Sequence, residues 1–141
     1  MPVKMIRLKS IEARRYLEPS QAPRQIRVDH NVTIVSISFK NQNNSTIDFQ
    51  YTTNYGSIGI IRMEGELLFE DKNARKIADM WSKSRKMPDE VATHVHNAII
   101  QACITEAVAI AKILSLPPPI PLPQIRVGKP KPPEKGGPEV A

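Results

Sequence analysis

A helix that runs straight into a run of prolines limits this chain more than any other feature. Pro88 suits a first helical position, and Asp89 and Glu90 put negative charge where the helix dipole favours it. Val95, Ile99, Ala102, Cys103, Ile110 and Ile113 then recur at three-and-four spacing, the signature of one buried stripe. The helix ends at Leu116-Pro117-Pro118-Pro119-Ile120-Pro121-Leu122-Pro123, where prolines forbid further helix and impose extended polyproline geometry. The aliphatic residues between them (Leu116, Ile120 and Leu122) predict that this segment lies against the body of the protein.

Upstream, the pattern switches to period two. A first strand is expected over Val3–Ile11 and a turn-rich break over residues 18–23. The second strand, Gln25–Lys40, changes the parity of its apolar residues at Ile34, which predicts a bulge there. Asn41–Ser45 reads as a hairpin loop. Ile47, Phe49, Tyr51, Thr53 and Tyr55 share one face of a third strand. Ile61, Met63, Leu67 and Phe69 share one face of a fourth, with Gly65 as a point of bending. Asp71 or Asn73 can cap a short helix carrying Ala74, Ile77, Ala78 and Trp81. The fold class expected is α+β: a four-stranded antiparallel meander covered by a short helix and a long C-terminal one.

With 141 residues the chain is one domain plus ends. We assign residues 1–127 to the domain and 128–141 to a basic, proline-rich tail whose composition predicts disorder unless bound. No apolar run approaches the ~20 residues of a membrane span, and charges interrupt every apolar stretch near the start, so a cytoplasmic protein without membrane insertion is expected. The single cysteine, Cys103, has no disulfide partner and reads as a small apolar residue. The net charge of +6 is concentrated at the ends: residues 1–30 carry seven Lys and Arg against three acids, while residues 31–123 carry nine of each.

Few residues suggest covalent chemistry. His94 and His96, two apart on a helix, point in different directions and cannot chelate as an i, i+4 pair would, so no metal is expected. His30 stands alone in a strand. Ser57 and Ser82 lack an evident base, and neither a phosphate loop nor a nucleophile elbow is present. Glu106 falls on the apolar stripe of the long helix and reads as a stripe-edge residue at a subunit contact or bonded to backbone. The expectation is a non-enzyme without cofactor.

The order of elements resembles the SecB-type export chaperone fold, especially its small archaeal relatives. The resemblance spans about residues 3–127. It rests on Asp48-Phe49-Gln50-Tyr51, Tyr55-Gly56-Ser57-Ile58-Gly59, the strand Met63–Phe69 leading into a short helix, and the long helix running into Leu116–Pro123. It implies homodimers or tetramers that act as ATP-independent holdases, binding unfolded or nascent polypeptides and handing them to export machinery. Groove candidates are Phe39, Phe49, Tyr51, Tyr55, Ile58 and Met80, where apolar surface rimmed by polar residues could take a client segment. Bacterial members of that type are acidic, with an acidic C-terminal extension; this chain has a pI near 9.6 and a basic one. The alternative expectation is therefore a ribosome- or RNA-associated protein that uses the fold as a scaffold. Arg14, Arg15, Arg126, Lys129, Lys131 and Lys135 would then contact phosphates.

Overall fold

The computed structural model describes residues 3–21 and 25–120. Four strands, β1 (Val3–Arg15), β2 (Asp29–Asn41), β3 (Asn44–Asn54) and β4 (Gly59–Glu70), are followed by helices α1 (Ala74–Ser84) and α2 (Asp89–Ile113). The sheet is antiparallel throughout, but its order is β1-β4-β3-β2. It is therefore not a simple meander. β2, β3 and β4 follow one another through hairpins, whereas β1 crosses the sheet to lie beside β4, a Greek-key order read in reverse.

The β2–β3 hairpin is tighter than its run of turn formers suggests. Asn41 pairs with Asn44, leaving Gln42 and Asn43 as a two-residue loop with Gln42 at φ 46°. The bulge expected near Ile34 is present, as a register shift between Ile34 and Ser36 that turns Val32, Ile34 and Ile37 to the core side and leaves the bulged Val35 58% exposed. At the β3–β4 turn, Gly56 adopts φ 67° and its N–H is held by Asn54 Oδ1 at 2.8 Å. Gly65 serves close approach more than bending. A Cβ there would lie 2.5 Å from the Arg7 carbonyl oxygen and 2.8 Å from Phe49 Cζ, and β1 carries its own register shift opposite, between Leu8 and Ser10.

One face of the sheet is apolar and covered. Along β3 and β4 every odd-numbered residue from Ser45 to Thr53 and from Gly59 to Phe69 is buried. α1 packs over β2 and β3, and α2 crosses the whole sheet. Val95, Ile99, Cys103, Ala107 and Ala111 form the buried stripe of α2, and the small side chains at its C-terminal half let the helix lie close to the aromatic floor. The stripe differs from the one drawn from sequence: Ala102 and Ile110 are half-buried and Ile113 is 78% exposed. A residue four further on lies about 40° round the helix, so a stripe following the twisted sheet drifts onto Ala107 and Ala111. The same drift leaves Glu106 exposed.

The opposite face is mostly polar, with Met5, Ile60 and Leu68 as its apolar residues. Arg7 and Lys9 both reach the Glu66 carboxylate, and this pairing holds its pKa below the usual range. Lys4 pairs with Glu70, and Ser36 donates to Asp48 at 2.8 Å. Helix starts also differ from expectation in detail. Asn73 is the N-cap residue of α1 without a side-chain cap bond; Asp71 Oδ1 instead accepts the Asn73 N–H at 2.7 Å. Pro88 occupies the N-cap of α2, one residue earlier than expected, and its carbonyl opens the helix by accepting from Ala92.

Candidate functional site

The segment after α2 is seated on the protein through Leu116, as expected, whereas Ile120 is exposed and Leu122 lies outside the described residues. Ser115 takes a left-handed conformation (φ 57°), so that the Leu116 N–H reaches the Ala111 carbonyl and the Ser115 N–H reaches that of Lys112. These two bonds make a Schellman motif, which turns the chain off the helix and drives Leu116 into the core. Prolines then hold three residues per turn, so side chains three apart share a face. Leu116 and Pro119 are accordingly buried, while Pro118 is exposed.

This strap is gripped by its carbonyl oxygens. Arg15 Nη1 donates to the carbonyls of Leu114 (3.2 Å) and Ser115 (2.8 Å). The Tyr55 hydroxyl donates to the Pro117 carbonyl at 2.7 Å. His30 Nε2 lies 2.6 Å from the Pro119 carbonyl, and its Nδ1 lies 2.7 Å from the Tyr51 hydroxyl. A carbonyl can only accept, so Nε2 carries the proton. In the neutral ring Nδ1 is then the acceptor, and Tyr51 must donate to it. Thr53, fully buried, donates to the Tyr51 oxygen at 2.9 Å. The result is a relay in one direction: Thr53 to Tyr51 to His30 to the strap. His30 therefore does not stand alone; its partners lie 21 and 89 residues away in the chain. Burial raises the Tyr51 pKa, and it pushes that of Tyr55 up to about 12, with the charge of Tyr51 adding to it. Both phenols stay protonated and able to donate. Beside the strap, a cavity of about 470 Å³ opens between Arg15, Ile26, Ile58, Lys112, Leu116 and Pro117.

A second cavity, of about 390 Å³, lies where α1 meets the start of α2, with Ile77, Met80, Pro88 and Val91 on its walls and Asp71, Lys76 and Glu90 at its margin. Met80 is 42% exposed there. The groove expected from sequence is thus divided. Phe49, Tyr51, Tyr55 and Ile58 are core residues, all 2% exposed or less, so in this conformation they offer a client no surface; alternation alone cannot tell a covered sheet face from an open one. Phe39 is half-buried under the Arg75 guanidinium, 5.7 Å from its ring centroid. Of the six, Met80 is the one exposed at a cavity.

Among the basic residues, Arg14 is exposed, whereas Arg15 is engaged with the α2 C-terminus; Arg126, Lys129, Lys131 and Lys135 lie outside the described residues. Among the described residues, no group of three or more His, Cys, Asp and Glu side chains is placed to hold a metal. No helix among them is long and apolar enough to cross a membrane. Cys103 is buried against the sheet, and burial, with the Glu106 charge nearby, pushes its thiol up to about 11, so it remains a neutral core residue.

No protein-family model matches the sequence, and no curated protein matches it. The structure is nevertheless similar to the SecB-like chaperone Rv1957 of Mycobacterium tuberculosis, solved in complex with a ChAD peptide from the antitoxin HigA1. The TM-score is 0.57 and the identity 14%, over 88% of this chain and 86% of that one. The four-stranded antiparallel sheet with two C-terminal helices is a SecB-like fold.

Proposed function

We propose that this protein is an ATP-independent chaperone of the holdase kind, binding extended apolar segments of unfolded polypeptides. The observation that carries the reading is the likeness in fold, over nearly the whole of both chains, to a chaperone that holds a peptide. The cavity between α1 and α2 supports it, because adaptable, exposed Met80 and half-buried Val91 lie there beside Asp71, Asn73, Lys76 and Glu90. No bond is made or broken, so no catalytic residue is needed; client release is set by the off-rate. Export is one outlet for such a protein.

Assembly belongs to the same reading. One outer flank of α2 carries half-buried Ala98 and Ala102 with exposed Ala109 and Ile113, a small-residue surface on which a second helix can approach closely. A homodimer, or a dimer of dimers, would bury it.

The test is aggregation of a chemically denatured client, followed by light scattering without nucleotide. A twofold excess of protein should suppress it, and Met80→Glu should weaken the suppression while leaving the fold intact by circular dichroism. Unchanged aggregation with wild-type protein would refute the holdase reading.

A further inference from the structure

The polar bonds that bind the strap to the body share one polarity. Arg15, Tyr55 and His30 donate, and the carbonyls of Leu114, Ser115, Pro117 and Pro119 accept. The two donors at the proline end read carbonyls two residues apart. Prolines suit such a place for a definite reason: they have no N–H, and a buried N–H at position 119 would meet a surface of donors and be left unpaired. The contact is also short. Leu116 and Pro119 enter the core, Pro118 and Ile120 remain exposed, and the cavity beside Leu116 leaves the seat incompletely filled. Lifting the strap breaks no strand ladder, since the bonds at Pro117 and Pro119 come from side chains alone.

We infer that the strap is a built-in competitor: its seat, formed by Tyr55, His30, Ile58 and Ile26, takes in its place a proline-containing extended segment of another polypeptide, with an aliphatic residue at the Leu116 position. The partner class is a leucine-proline-type segment in polyproline conformation. Its recognition rests on the two carbonyls and on the aliphatic side chain that precedes them. The use of this seat for clients rests on the holdase reading; the seat and its competition do not. A tethered segment holds its site at an effective concentration in the millimolar range, so a free peptide binding at ~100 μM would be weakened roughly ten-fold or more by the strap.

The probe is an end-blocked synthetic peptide, Ser-Leu-Pro-Pro-Pro-Ile-Pro, the sequence of residues 115–121, with a control that has glutamate in place of leucine. In the full chain, the methyl NMR signals of Leu116 should move to those of a solvent-exposed leucine as the peptide saturates, and the control should leave them in place. A variant with Pro117→Gly, Pro118→Ser and Pro119→Gly should bind the peptide ~10- to 100-fold more tightly than wild type. If that variant fails to fold, displacement of Leu116 in the wild-type chain decides alone. Peptide binding that leaves the Leu116 signals unmoved overturns the inference, as does an absence of binding. Contacts between Leu116 and Tyr55 of different chains in a mixed-label sample would also overturn it, by making the occupant a second copy's strap. Displacement of Leu116 together with unchanged client aggregation would refute the holdase reading and leave the seat standing.

Discussion

Replacing Tyr51 by phenylalanine isolates the relay at the heart of the sheet. The ring stays and its packing is kept; only the oxygen between Thr53 and His30 is lost. Thr53 is fully buried, with its hydroxyl 2.9 Å from that oxygen, so in the variant it has no partner there. An orphaned buried hydroxyl costs about 1–3 kcal/mol. His30 is exposed and water can take over at Nδ1, so that side adds little. We therefore expect Tyr51→Phe to destabilise by about 2 kcal/mol. Thr53→Val should cost about 1 kcal/mol, since Tyr51 keeps its bond to His30. In the double variant nothing is orphaned, and the total should fall short of the sum by roughly 1–2 kcal/mol. Urea unfolding followed by Trp81 fluorescence measures this, at one fixed protein concentration because assembly would shift apparent stability. The denaturant slope should not change. Additivity within ~0.5 kcal/mol would refute the relay as a coupled unit.

Gly65→Ala should cost roughly 2–3 kcal/mol or prevent folding, because its Cβ would strike the Arg7 carbonyl oxygen at 2.5 Å and β1 would have to move. Gly56→Ala, with nothing within 4 Å but φ +67°, should cost only about 1 kcal/mol, and parallel thermal melts compare the two. Stability should fall in alkali. Tyr55 and Cys103 hold their protons to about 12 and about 11 in the fold, against 10.0 and 9.0 in the unfolded chain. Raised pKa values mean that their contribution is complete below pH ~9 and lost as pH rises through 11 to 12, on the order of 3 kcal/mol apiece. A melting temperature that stays level from pH 8 to 11 would contradict this. Ala109→Glu should convert an oligomer to monomer in multi-angle light scattering, and a monomeric wild type at tens of micromolar would remove the α2 surface as an interface.

What could be read from the sequence was local. β3 is legible because alternate residues from Ile47 to Thr53, and Tyr55 just beyond it, share one fate, and the bulge at Ile34 is legible because Val32 and Ile34 have one parity and Ile37 the other, yet all reach one core. β1 extends to Arg15, past its expected end at Ile11, because Glu12, Arg14 and Arg15 pair through backbone and carry no apolar signal. The place of β1 beside β4 is a long-range fact with no local mark. Polyproline geometry and a need to cover Leu116 were visible in the strap; its grip was not, since His30 acquires its role from a carbonyl at Pro119. Phe49, Tyr51 and Tyr55 are covered in this structure, and an apolar strand face looks the same in sequence whether it is covered or open.

The strand order also sets a timetable for synthesis. β1 is the first strand to be made, yet its partners run from Gly59 (for Arg15) to Phe69 (for Val3), 44 to 66 residues later. β2, β3 and β4 can close as successive hairpins as they appear, while β1 waits. At ribosomal rates of ~5–20 residues per second, that wait is roughly 2 to 13 s. During it Ile6, Leu8 and Ala13 have no sheet to lie on, and the docking of β1 is the high-contact-order, rate-limiting closure expected of this topology.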